Sequence, residues 1–174
     1  MVPGKLYPTN YPNGLSTTGE PNQGLVGNFS TIVTLTAAQM LAFNNNINTS
    51  ALLIPTLPVE NQSSVGNVIV IRNIYMELTS NGTAYTNVAN NADLIFHYAT
   101  GVNRIAYQIA VANALLVLGQ TVPTGAMMIP TVTEQAPFLV NSANSSLYMN
   151  VVAGQYAAGT SPVKLFIDYS VIAL

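Results

Sequence analysis

Apolar and polar positions alternate with period two through residues 67–79, Asn-Val-Ile-Val-Ile-Arg-Asn-Ile-Tyr-Met-Glu-Leu-Thr. One face of the strand this predicts carries Val68, Val70, Arg72, Ile74, Met76 and Leu78. The other carries Ile69, Ile71, Asn73, Tyr75 and Glu77. β-Branched residues fill both faces of the first half, as in a strand covered on both sides. The second half is partly polar on one face, as where a strand emerges toward solvent or a partner. Arg72 interrupts the better apolar face, and a guanidinium buried there needs a carboxylate. The stretch reads as the central strand of a β-sandwich.

The same period recurs at 29–36, where Phe29, Thr31, Val33 and Leu35 oppose Ser30, Ile32, Thr34 and Thr36. Thr36 stands where an N-cap belongs, ahead of Ala37-Ala38-Gln39-Met40-Leu41-Ala42-Phe43. These residues predict a helix of about two turns, ended by Asn44-Asn45-Asn46. Residues 51–54 form a short apolar strand that Pro55 and Pro58 stop, and 57–66 are a loop. Ser80-Asn81-Gly82-Thr83 is a turn signal, followed by polar loop or irregular edge to Asn91. Residues 93–99 predict a strand, which 100–103 can turn into a hairpin partner at 104–110. Residues 112–118 are apolar without alternation and end at Gly119. They read as a short helix stopped by that glycine; a longer helix from about Ile105 is the competing reading. Residues 121–133 hold Pro123, Gly125 and Pro130, a loop with at most an edge strand around 127–129. Phe138-Leu139-Val140 is a short apolar run. Alternation returns at 146–153 and 162–172, read as a closing hairpin around a small-residue loop at 154–161 that contains Tyr156. Seven or eight strands with one or two short connecting helices predict an all-β chain. The architecture expected is an antiparallel β-sandwich, jelly-roll-like.

Ahead of this body, residues 1–27 lose all periodicity. Pro3, Pro8, Pro12 and Pro21 alternate with Gly4, Gly14, Gly19, Gly24 and Gly27. Extended, such an arm spans roughly 90 Å at about 3.3 Å per residue. Leu6, Tyr7, Tyr11, Leu15 and Leu25 are spaced through it as apolar anchors. It reads either as a docking arm that orders along a partner or as a disordered terminus. The division expected is therefore an arm at 1–27 and a body at 28–174.

Charge changes the picture most. Charged residues are 6% of the chain, against about 25% in an ordinary soluble domain, while hydrophobic residues reach 49%. A free monomer usually keeps more charge on its surface. The composition points to a subunit whose surface neighbours cover; the plainer reading is a neutral secreted monomer. The net charge of −2 without a basic run argues against nucleic acid. The absence of cysteine excludes disulfides, zinc thiolates and cysteine nucleophiles. Neither a signal peptide nor a spanning helix of ~18 apolar residues is legible.

The order of pieces resembles a family. Thr34-Leu35-Thr36-Ala37-Ala38-Gln39-Met40 followed by Leu52-Leu53-Ile54-Pro55 is similar to the opening of small tailed-bacteriophage virion structural proteins. Val68-Ile69-Val70-Ile71, Gly82-Thr83-Ala84-Tyr85 and residues 163–172 resemble the strand, turn and final strand that follow there. The resemblance covers most of 29–172 and leaves out the arm. It implies a structural subunit of the virion, assembled in the host cytoplasm: a capsid decoration (cement) protein, or a head-fibre or tail component. It implies no activity and no cofactor. By analogy with decoration and fibre proteins, the oligomer expected is a homotrimer. Its partners would be the major capsid protein or fibre and tail subunits, with no nucleic acid and no membrane.

Candidate chemistry is sparse. His97 is the single histidine, four residues after Asp93. On a strand this spacing separates them by about 13 Å, so a satisfied histidine is expected rather than a metal pair. A Ser-His-Asp set is formally available, but nothing resembles a nucleophile elbow. Paired carboxylates would have to come from Glu20, Glu60, Glu77, Asp93, Glu134 and Asp168; Arg72, Arg104 and Lys164 compete for them. Asn28, Asn48, Asn61, Asn81 and Asn144 each begin an Asn-X-Ser/Thr triplet, which a chain of this composition produces by chance; no glycans are expected. Two rival functions follow. One is a carbohydrate- or receptor-binding module of a virion fibre or tail, using loop tyrosines such as Tyr85 and Tyr156. The other is a hydrolase dependent on His97.

Overall fold

Elements form where the alternation is cleanest. The computed structural model describes residues 27–55, 67–87, 92–98, 105–128 and 145–173. In chain order these hold β1 (Gly27–Leu35), α1 (Ala37–Ala42), a 3-10 turn (Ile47–Thr49), β2 (Ala51–Ile54) and β3 (Asn67–Leu78). There follow β4 (Thr86–Asn87), β5 (Leu94–Tyr98), β6 (Ile105–Ile109), α2 (Val111–Leu118) and β7 (Met127–Met128). The series ends with β8 (Leu147–Val151), β9 (Tyr156–Ala157) and β10 (Val163–Ala173). The arm anchors Leu6, Tyr7, Tyr11, Leu15 and Leu25, and the run at 138–140, lie outside the described residues.

One sheet has the order β1-β10-β3-β7 and the other β2-β8-β5-β6, all antiparallel. Nested pairing explains both. β1 pairs β10, β2 pairs β8, β3 pairs β7 and β5 pairs β6. This is one long hairpin rolled so that successive pairs fall on alternate sheets, which is a jelly roll. The sandwich expected from the sequence is therefore present. The core lies between the sheets, with Ile74, Met76, Leu78, Val163, Leu165 and Ile167 from one and Leu94, Phe96, Leu147, Met149 and Val151 from the other, all nearly inaccessible. The hydroxyl of Tyr98 on β5 donates to the Ile69 carbonyl on β3 and ties the two layers.

Three expectations need correction. First, the two faces of β3 exchange midway. Asn73 faces Asp168 and Ile71 faces Tyr169, so Arg72 is an extra residue on β3. This β-bulge shifts the alternation by one: the inward set is Ile69, Ile71, Ile74, Met76 and Leu78. Arg72 is exposed and needs no carboxylate. Its Nε donates to Ser170 Oγ, which donates to Asn28 Oδ1 at 2.6 Å. Second, β8 and β10 are not a hairpin. They lie in different sheets, and 152–162 crosses between them. Third, 80–83 does not reverse the chain. Residues 79–87 run on beside 156–162: Thr79 N donates to Pro162 O, Thr160 N to Thr83 O, and β4 pairs β9.

The helices are held by different devices. α1 has a capping box, in which Thr36 Oγ1 accepts from Gln39 N and Thr36 N donates to Gln39 Oε1. Ala110, which precedes α2, offers no side-chain cap. Instead Asp93, the residue before β5, accepts from Val111 N at 2.7 Å. β6 and α2 meet at Ala110, so the longer helix from Ile105 is excluded. Gly119 ends α2 at φ −77°, not in the left-handed region. Glycine is favoured there by close approach, since a Cβ would sit 2.6 Å from Leu115 O.

Candidate functional site

Two regions gather side chains that could act: a polar cluster around His97 and the outer face of the β1-β10-β3-β7 sheet. β5 places His97 at 0% exposure. Its Nδ1 is 3.2 Å from Tyr98 O and its Nε2 is 3.0 Å from Ser50 Oγ. A carbonyl can only accept, which assigns the proton to Nδ1 and lets Nε2 accept from the Ser50 hydroxyl. Asn150 on β8 donates through Nδ2 to Ser50 Oγ at 2.9 Å and to Asn46 O at 2.8 Å. The imidazole stacks on Tyr148, with centroids 5.8 Å apart. Burial holds the imidazole below its ordinary value near 6.5, opposed by the backbone bond to Tyr98.

A Ser–His contact is thus present, with a backbone carbonyl as its third member. Asp93 is engaged elsewhere, accepting from Gln108 Nε2 at 2.9 Å and from Val111 N. The serine oxygen donates to the imidazole and accepts from Asn150, so the cluster's geometry fastens residues 46–50 onto β5 and β8. Among the described residues no group of three or more His, Cys, Asp or Glu could hold a metal ion, and no helix is long and apolar enough to cross a membrane.

Tyr85 and Tyr156, the ring platform expected of a glycan-binding module, are both buried, at 1% and 2% exposure. They meet edge to face, with centroids 6.4 Å apart. Tyr85 donates to Ser161 O, and burial pushes its hydroxyl up to about 12. Burial, and secondarily the charge of Asp93, raises Tyr156 further. Gly159 lies flat on the Tyr85 ring, where any Cβ would overlap it. These rings are core, and that form of the glycan reading is corrected.

The outer sheet face is different. The register sets Ile32 beside Phe166 and Phe166 beside Tyr75. The backbone row continues to Met128 on β7. Ile32 is 61% exposed, and Phe166 and Tyr75 are half-buried. This apolar row crosses three strands. On one side lies Thr34–Lys164–Glu77, where Lys164 Nζ is 3.9 Å from Glu77 Oε1 and 5.6 Å from the Phe166 ring centroid. On the other lies Ser30–Asp168–Asn73. Among the described residues Lys164–Glu77 is the one ion pair. The row was readable strand by strand as the polar-side alternation, but the register joining the strands was not.

No protein-family model matches the chain, and no curated protein matches it. Solved structures superpose on it, two phage capsid chains among them. One is a chain of the acid-stable capsid of Helicobacter pylori bacteriophage KHP30, at 12% identity and a TM-score of 0.38, covering 83% of this chain and 90% of that one. The other belongs to the capsid asymmetric unit of cyanophage Pam1, at 15% identity and a TM-score of 0.37, covering 94% of this chain and 99% of that one.

Proposed function

We propose that this chain is a structural subunit of a bacteriophage virion and not an enzyme. It decorates or cements the capsid, or attaches a fibre, and stabilises the particle by the surface it buries against neighbours. The observation that carries this reading is the near-absence of ionic groups, 6% of the chain. It goes with an apolar row laid across the outside of a sheet whose inside is already a complete core. Such a surface suits permanent cover better than free solution. The residue resemblance to small virion proteins supports the same reading. A jelly roll is compatible with it but does not select it, because lectins and enzymes share the fold.

In this reading residues 1–27 form a docking arm that reaches a neighbouring subunit through Leu6, Tyr7, Tyr11, Leu15 and Leu25. The test is to fractionate the source particles on a density gradient and follow the chain with an antibody. Presence in the particle band at fixed copy number is expected; confinement to the soluble fraction would overturn the proposal. Adding back a chain of residues 28–174 to particles stripped of it should then give weaker attachment than the full chain. Equal attachment would remove the arm from the account.

A further inference from the structure

The two sheets have four edges among the described residues, and three are blunted. β7 is two residues long. β2 is four residues long, slips register against β8 between Leu52 and Ile54, and is followed by Pro55. β6 is five residues long, pairs β5 with a register shift, and runs through Ala110 into α2. β1 has none of these protections. It spans nine residues, Gly27–Leu35, and pairs β10 along its whole length without a shift. It holds no proline and no charge. Its other backbone edge meets no strand among the described residues. Natural sheets rarely leave a flat, uncharged edge of this length open, because it is a template for another strand.

We infer that β1 pairs antiparallel with β1 of a second copy about a two-fold axis at Ile32, making one continuous eight-stranded sheet. The sequence of β1 is self-complementary in that register. Ile32 meets Ile32 of the second copy, Thr31 meets Val33, Ser30 meets Thr34 and Phe29 meets Leu35. Inward positions therefore face inward positions, and hydroxyls face hydroxyls. No like charges oppose, since the strand has none. The register also joins the outer rows. Tyr75, Phe166 and Ile32 of one copy continue directly into Ile32, Phe166 and Tyr75 of the other, covering the 61%-exposed isoleucine. A two-fold pairing of this kind makes a dimer the building unit, where analogy alone suggested a trimer.

The inference does not rest on the virion reading. A dimer absent from the particle band would leave it standing, and a monomer found in that band would sink the pairing alone. The test uses the full chain. Sedimentation velocity should show a dimer for the wild type, and Ile32→Lys should shift it to monomer with at least a ~10-fold weaker association. Because the chain lacks cysteine, single cysteines report the register. Ile32→Cys should crosslink between copies under mild oxidation, since facing Cβ atoms lie about 4.5–5.5 Å apart. Ser30→Cys should not, because its counterpart lies about 13 Å along the strand. A wild type that stays monomeric at about 100 µM would overturn the pairing. So would an unchanged dimer in Ile32→Lys, or Ser30→Cys coupling as fast as Ile32→Cys. If Ile32→Lys fails to fold, the two cysteine variants still decide.

Discussion

Tyr85, Tyr98 and Tyr156 are buried phenols that differ in what their hydroxyls meet. Tyr85 donates to Ser161 O and Tyr98 to Ile69 O. The Tyr156 hydroxyl has no partner among the described residues. Removing a satisfied hydroxyl strands a buried carbonyl, while removing an orphan relieves a desolvated dipole. Tyr85→Phe should therefore cost about 1–2 kcal/mol, and Tyr156→Phe should be neutral or stabilising by up to about 1 kcal/mol, read from urea midpoints. His97 gives a pH signature. Its folded value lies below its ordinary one near 6.5 because burial disfavours the imidazolium. The stabilisation from keeping it neutral is complete above about 6.5 and is lost as pH falls from there toward the folded value. It is the single histidine, and ordinary carboxylates titrate at about 4. The thermal midpoint should thus be level from about pH 8 to 7 and fall as pH drops below about 6.5. His97→Gln should remove that fall, and a fall that persists in the variant would assign it to other groups.

At the scale of elements, α1 was legible because its cap is local: Thr36 and Gln39 stand three apart in the sequence and bond each other. α2 is capped by Asp93, eighteen positions upstream, and no local pattern announces that. Asp93→Ala should uncap α2 and break the bond from Gln108 together, costing about 1–2 kcal/mol, more than Thr36→Ala at about 1 kcal/mol. Equal losses in chemical denaturation would argue against the longer-range cap. Strand positions were legible from period two, and the β5–β6 hairpin from its short connection. Phase along β3 was not, because a bulge inserts one residue without altering composition, and Arg72 looked like an interruption when it is the insertion. The pairing of β8 and β10 was misread because neighbouring alternating runs suggest a hairpin whenever the loop permits one. Here the connection is long enough to cross between sheets. Of the candidate site, the tyrosines misled because small, polar neighbours such as Gly159 resemble a loop. Those neighbours are small because an aromatic ring lies against one of them.

The molecule as a whole is poor in charge outside as well as inside, so its contacts with neighbours should be nearly indifferent to ionic strength. Under the proposed virion role, attachment to particles measured between about 0.05 and 1 M NaCl should change less than about threefold, whereas contacts led by ion pairs weaken over that range as screening shortens to about 3 Å. A steep loss with salt would mean that the few charges, Arg72 and Lys164 among them, lead the docking. The nested pairing has a further consequence for biosynthesis. Among the described strands, β1 and the first half of β3 find their ladder partner only in β10, which leaves the ribosome after all the others at roughly 5–20 residues per second. Until then nearly the entire apolar half of that layer waits without a mate. Nascent chains stalled or cut short before residue 163 should accordingly be the sticky, chaperone-bound species, and production of the folded chain should be limited by how quickly β10 is delivered.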